Sequence, residues 1–258
     1  MLDTVQNYFL ISMWVALSIA FLVLLNHLWA PSKRRVHNDV IGWQISIVGT
    51  IYAVMIGFML YAVWANFQTA ETNADNEANA LVNFFRSVEG LPPAQRSGLE
   101  IAAANYVNAV ITQEFPTMSR GGGPHAGHDA VVRMWALVTE PSQLNPSQQI
   151  GLEQTMHELS DLTEHRRIRI LESTTKMPTI LWMVLVVGGM ITIGACCLIG
   201  TENVTLHYGL ILCLSLLISL ALIAIGDIDR PFQGSVHVGS QAFVRARDSM
   251  LSPSTNPQ

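Results

Sequence analysis

The sequence predicts an all-α integral membrane protein, a bundle of four membrane helices with a helical cytoplasmic extension between helices two and three. Three observations carry this. Only 13% of the 258 residues are charged and half are hydrophobic, where about a quarter would be charged in a soluble domain. Four stretches, Tyr8 to Ala30, Gly42 to Phe67, Pro178 to Gly200 and Leu206 to Gly226, contain no Asp, Glu, Lys or Arg. Between the second and third lies a polar stretch, Gln68 to Met177, whose 13 acidic and 8 basic residues hold the whole net charge of −5.

Each charge-free run exceeds the length of about 20 residues that a helix needs to cross a hydrocarbon core of roughly 30 Å. The lipid bilayer is therefore the first partner. The chain divides into spans one and two at 8–67, a cytoplasmic segment at 68–177, spans three and four at 178–226, and a tail at 227–258 that is disordered after about 251. Span one is read as retained, because Met1 to Asn7 carries no basic residue such as a signal peptide begins with. Counting basic side chains near span ends, cytoplasmic termini place seven inside (Arg166, Arg167, Arg169, Lys176, Arg230, Arg245 and Arg247) and three outside (Lys33, Arg34 and Arg35). The positive-inside rule selects this arrangement, in a bacterial inner membrane.

From Gln68 to Leu91 no breaker precedes Gly90, and Ala78, Leu81, Val82, Phe85 and Val88 form a helical stripe. One long helix is expected to leave the membrane and continue to Pro92. Pro93 opens the next helix, with a stripe of Leu99, Ala102, Ala103, Tyr106, Val107 and Val110. Pro116 and Gly121-Gly122-Gly123-Pro124 mark a loop. A short helix follows over 126–139, ended by Pro141. Pro146 starts another, carrying Ile150, Met156, Leu159, Leu162, Ile168 and Leu171 and running toward span three.

Chemistry is sparse. No nucleophile elbow, phosphate loop or zinc-protease motif is present, so neither an enzyme nor a cofactor is expected. The acidic balance excludes a nucleic-acid binder. His125, His128 and Asp129 sit in a glycine-rich loop, and His157, Asp161 and His165 on one helix face; both sets read as solvated rather than metal-binding. Cys196, Cys197 and Cys213 all lie in membrane runs and read as small packing residues. Gly188, Thr192, Cys196 and Gly200 in span three, and Gly49, Ala53 and Gly57 in span two, recur at the four-residue spacing that lets helices approach closely in lipid. Asp227-Ile228-Asp229-Arg230-Pro231-Phe232 stands where span four ends. Two acids at a helix C-terminus oppose the macrodipole. Cationic partners are therefore expected, in a junction charge network of Glu77, Arg86, Arg166, Arg167, Asp227, Asp229 and Arg230.

Several pieces stand in order along the chain: Gly57-Phe58, Glu77 to Leu81, Phe85-Arg86, Leu91-Pro92, Arg96, Tyr106, His165 to Arg169, Pro178, Leu181-Trp182, and Asp227 to Phe232 with Gly234. Together they resemble the bestrophin-like family of bacterial membrane proteins, which is distantly comparable to bestrophin anion channels. The resemblance implies a homo-oligomer and an ion channel whose pore is lined by helix two and narrowed by apolar and aromatic side chains. Tyr52, Ile56 and Met59 are the pore-lining candidates. Glu71, Asp75 and Glu77 would stand near the emergence of that helix, where an acidic ring favours cations; ion sign stays open against the anion preference of the distant relatives. No counterpart of the animal proteins' calcium-sensing acidic cluster is present. The alternative class is a non-conducting scaffold that binds a partner through its cytoplasmic helices. A flagellar-type proton-channel stator shares the order of two helices, insert and two helices, but no clear motif supports it.

The orientation is testable. Single cysteines at Gln95 and Ser147, in a chain freed of its native thiols, should react with an impermeant maleimide in inverted membrane vesicles and not in intact spheroplasts. The reverse pattern would invert the topology.

Overall fold

A computed structural model describes residues 2–140 and 143–252, without the side chains of 2–7. Pro141 and the tail from Pro253 onward, read above as a helix end and a disordered segment, lie outside these residues. Every element among them is helical. The principal helices are α1 (Leu2–Leu28), α2 (Asn38–Ser87), α3 (Pro93–Ala109), α4 (His128–Val138), α5 (Pro146–Thr174), α6 (Thr179–Cys197), α7 (Val204–Ile228) and α8 (Gln241–Leu251). Four helices are long and apolar enough to cross a membrane. Two compact units result: Met1–Ala65 with Lys176–Asp229, and Asn66–Thr175 with Arg230–Gln258.

In the first unit, α1, α6 and α7 pack against one another. The core holds Leu22, Tyr52, Ile193, Cys197, Ile211 and Ile218, and a second cluster holds Val63, Leu185 and Ile225. Small residues on α6 make the packing possible. A Cβ on Gly188 would lie 2.7 Å from the Tyr52 ring, and one on Gly189 2.8 Å from its hydroxyl. Tyr52 thus lies flat against α6, and its hydroxyl donates to the Leu185 carbonyl at 2.9 Å. The glycines of α2 differ: nothing stands within 4 Å of a Cβ on Gly42, Gly49 or Gly57.

The connection from α1 to α2 is pinned by polar groups. Arg34 is fully buried and donates to the Cys197 carbonyl at 2.6 Å and to Asn26. Asn38 exchanges two bonds with the backbone of Gly200, at 2.8 and 2.9 Å. A Cβ at Gly200 would collide with the Pro31 carbonyl and the Arg35 amide, so only glycine fits there.

The second unit begins with the later part of α2. Its buried line runs Ala70, Ala74, Ala78, Leu81, Phe84 and Val88, and a 3₁₀ turn, Val88–Gly90, ends it. All six apolar positions expected along α3 are buried, five on the helix itself and the sixth, Val110, at the start of the turn that follows. Beyond α3 the chain does not enter a loop at Pro116. It makes a π-helical turn, Val110–Glu114, and a further helical turn, Phe115–Met118. Pro116 follows directly on the π turn, whose last bond runs from the Phe115 amide to the Val110 carbonyl. On α5 the apolar stripe is only partly right. Ile150 and Leu171 are exposed, while the buried face reads Thr155, Leu159, Leu162, Arg166 and Arg169. An Asn145–Gln148 capping box and Pro146 start that helix, and the helix stops at Thr174 instead of running into α6. The tail contributes α8, unforeseen in the sequence, which buries Ala242, Phe243 and Ala246.

Gly200→Ala should destabilise the detergent-solubilised protein by about 2–3 kcal/mol, because the obstructing atoms are backbone and cannot give way. Gly209→Ala, with open space around its Cβ position inside a helix, should keep stability or raise it by up to about 1 kcal/mol. Thermal unfolding of both variants checks the pair.

Candidate functional site

Two features of the structure concentrate function-relevant side chains: a buried charge cluster in the second unit and an open face of α2 in the first.

The cluster is assembled from three segments. Glu77 comes from α2, Glu114 from the π turn, and Arg166 and Arg169 from α5, where a three-residue spacing puts both on one helix face. Glu77, Glu114 and Arg169 are at most 1% exposed and Arg166 is 5% exposed, so every charge needs a partner. Each has one. Arg166 grips Glu114 with both terminal nitrogens, at 2.8 and 2.7 Å. Arg169 binds Glu77 through Nε at 2.6 Å and Nη2 at 2.9 Å, and the same Nη2 reaches Glu114 at 2.8 Å. The buried Tyr106 hydroxyl donates to Glu77 and lies 3.3 Å from Arg166 Nη1. The Gly127 amide donates to Glu114 at 2.8 Å. A Cβ on Gly127 would stand 2.9 Å from Arg166 Nη1, so a glycine is needed at that point.

Aromatic rings wall the cluster. The Arg169 guanidinium lies 5.5 Å from the Phe115 ring centre and 5.6 Å from that of Phe243, a cation–π arrangement. Arg166 lies 5.4 Å from the Tyr106 ring. Phe232, the last residue of the Asp-x-Asp-Arg-Pro-Phe piece, packs edge-on against Phe115 at 6.1 Å.

Electrostatics follow from this pairing. Burial alone pushes the Glu114 carboxyl up. The hydrogen bonds and charges of Arg166 and Arg169 outweigh it and bring Glu114 down to about 2. Both guanidiniums are desolvated by burial, yet Glu114 for Arg166 and Glu77 for Arg169 push them above the usual arginine range. Burial, with Glu77 beside it, holds the Tyr106 phenol protonated. Two carboxylates and two guanidiniums cancel in charge, and each is held by at least one opposite charge, with further hydrogen bonds from Tyr106 and the Gly127 amide. The cluster therefore fixes segments in place.

The residues expected in one junction network are distributed. Glu77 and Arg166 meet in the cluster. Arg167, one residue on, faces solvent and pairs with Glu164 at 2.9 Å. Arg86 is exposed and touches Ser249 at 3.5 Å. Asp227 and Asp229 belong to the first unit, where the Asp229 carboxylate accepts from the Met177 amide at 2.9 Å; exposed Arg230 belongs to the second. Glu114 was absent from the sequence-based network because it sits in a turn whose helical period is broken. Arg169 stood in the basic run, but nothing there marked it as the more buried arginine. Among the described residues, no group of three or more His, Cys, Asp or Glu is placed to hold a metal ion.

The open face of α2 is built differently. Val40, Trp43, Ile47, Ile51, Val54, Phe58 and Tyr61 are exposed, spaced by three or four residues so that they form one stripe. Gln44, Ser46 and Thr50 are also exposed. Tyr52 is 4% exposed and committed to the core, and Ile56 and Met59 pack half-buried against the two core clusters. Tyr52 thus faces the glycines of α6, while Ile56 and Met59, half-buried, stand between the core and the exposed stripe. Glu77 cannot join an acidic ring with Glu71 and Asp75, since it is enclosed by Arg169.

A protein-family model described as a bestrophin-like domain matches residues 13–243. Several solved structures share the fold. A crystal structure of a membrane protein is 12% identical with a TM-score of 0.69, over 95% of this chain and 97% of that one. One variant of a bacterial bestrophin homologue from Klebsiella pneumoniae is 13% identical with a TM-score of 0.67, over 95% and 98%. A second variant is 15% identical with a TM-score of 0.63, over 95% and 97%. No curated protein matches the chain significantly.

Stability should fall in acid with a defined window. Glu114 is depressed from about 4.5 to about 2 on folding, so its contribution is fully present above pH 4.5 and is lost as pH falls toward 2. The loss is about 3 kcal/mol. Glu114→Gln should be destabilised by about 3–5 kcal/mol at neutral pH, since it leaves Arg166 buried without its carboxylate. It should also flatten the acid limb of an unfolding-versus-pH curve; an unchanged limb would contradict the pairing.

Proposed function

The chain belongs to the bestrophin-like family, and from that premise we propose that it is a homo-oligomeric ion channel of an inner membrane, with α2 from each copy surrounding the pore. The observation that carries the reading is the α2 stripe. Its apolar and aromatic side chains are left largely exposed by the described residues, and Gly49 and Gly57 beside them leave room for a second backbone. Exposed Gln44 on the same helix suits a water-filled lumen better than lipid tails, since an amide at membrane depth is costly unless it is hydrogen-bonded; the Ser46 and Thr50 hydroxyls already donate to the Gly42 and Ser46 carbonyls.

In this reading Val54, Phe58 and Tyr61 form the constriction, an apolar ring that closes by excluding water. Ile56 and Met59 support it from behind. Glu71 lies beyond the span on the polar part of the helix and contributes negative charge there, whereas Asp75 is paired with Arg245; the second unit and both termini are cytoplasmic.

Purified protein in planar bilayers should carry current. Phe58→Ala and Tyr61→Ala should raise open probability several-fold, while Tyr52→Ala should lower thermal stability by about 3–5 kcal/mol through the cavity it leaves. A folded oligomer that stays silent to cations and anions across a wide pH range would replace the channel with a scaffold.

A further inference from the structure

Within the second unit, α2 and α8 lie side by side without interlocking, and a cavity of about 600 Å³ remains between them. That is the volume of a small-molecule site. Its floor is made of short side chains, Ala78 and Val82 from α2 and Ala242 and Ala246 from α8. On α8 the alanines recur at i and i+4, so the groove is held open by sequence. Its rim is polar: Asp75, Asn79, Asn83 and Arg86 from one helix, Arg245 and Ser249 from the other.

The rim carries two guanidiniums and one carboxylate. Arg245 spends part of its fork on Asp75 at 3.2 Å. Arg86 has only the long 3.5 Å contact to Ser249 Oγ and pairs with no carboxylate among the described residues. The side-chain amides of Asn79 and Asn83 are bonded to no other described residue and line the same space. A net positive groove with an uncommitted guanidinium, amide donors and an apolar floor has the chemistry that recognises a planar or tetrahedral oxyanion joined to a small organic body.

We propose that this groove binds a small organic oxyanion, a phosphate or carboxylate, gripped by Arg86 with help from Arg245, its body resting on Ala78, Val82 and Ala246. The oxyanion's source is a soluble metabolite or an anionic lipid headgroup, and the test separates the two. This site is independent of conduction, so binding is measured without current.

Full-length protein is titrated calorimetrically in detergent with inorganic pyrophosphate and with citrate. In parallel, protein in nanodiscs of phosphatidylcholine, with or without phosphatidylglycerol, is scored for its unfolding temperature. Saturable binding of either soluble anion assigns a metabolite. A phosphatidylglycerol-dependent rise in unfolding temperature with no soluble binding assigns a headgroup. In both cases Arg86→Ala should weaken the effect at least about tenfold, the scale of a lost bidentate contact. Ala246→Leu should abolish it by filling the groove while keeping every charge. Arg167→Ala, which removes an exposed arginine outside the groove, should leave it unchanged. Absence of a response in both arms overturns the proposal, as does a response that survives Arg86→Ala and Ala246→Leu, or a groove found occluded by a second copy.

Discussion

Two glutamates and two arginines buried side by side can exist only if all four are paired at once. Removing a carboxylate and a guanidinium from water costs several kcal/mol per ion, and attraction repays this only in near-ideal geometry with the remaining donors satisfied. That requirement orders the second unit. Glu77 fixes the register of α2, Glu114 fixes the π turn, and Arg166 and Arg169 fix the rotation of α5. Tyr106 and the Gly127 amide satisfy what is left. Phe115 and Phe243 enclose Arg169, which ties the tail helix α8 to the same centre.

The first unit answers to a different constraint. Its helices have nothing to gain from burying apolar surface against one another in lipid, so they rely on close fit and a few hydrogen bonds. Tyr52 against Gly188 and Gly189, and Asn38 against Gly200, are the points where backbone approach and hydrogen bonding coincide. Buried Arg34 is bonded to a carbonyl and an amide oxygen rather than to a carboxylate. In the Lys33-Arg34-Arg35 cluster, which opposes the favoured orientation, Arg34 thus has a packing role and Arg35 an exposed ion pair with Glu202.

α2 contributes to both units, and its surface changes character along its length. Early on it offers an apolar and aromatic stripe with open glycines; later it supplies Glu77 inward and Asp75, Asn79, Asn83 and Arg86 outward. In one residue stretch, neighbours three apart serve a core, a groove and a free face, which is what a period of 3.6 residues allows.

The sequence alone determined that four helices are long and apolar enough to span a membrane, because a run of more than twenty uncharged residues has few alternatives. It also placed α3 and its buried face, where apolar residues keep the helical period, and it marked Glu77 and Arg166 as notable. Four things had to wait for the tertiary structure. On α5 the buried face passes from leucines to arginines, so a hydrophobic stripe drawn through Ile150 and Leu171 points to solvent. The π turn at Val110–Glu114 breaks the period that would have flagged Glu114. The tail helix α8 is too polar to be read as a core element, and it is anchored by Phe243. On α2 apolar residues occur all round the helix. The positions of Gly188 and Gly189 decided that Tyr52 turns inward, while Val54, Phe58 and Tyr61 stay exposed. Composition says which residues can be buried; the partner on the facing helix decides which of them are.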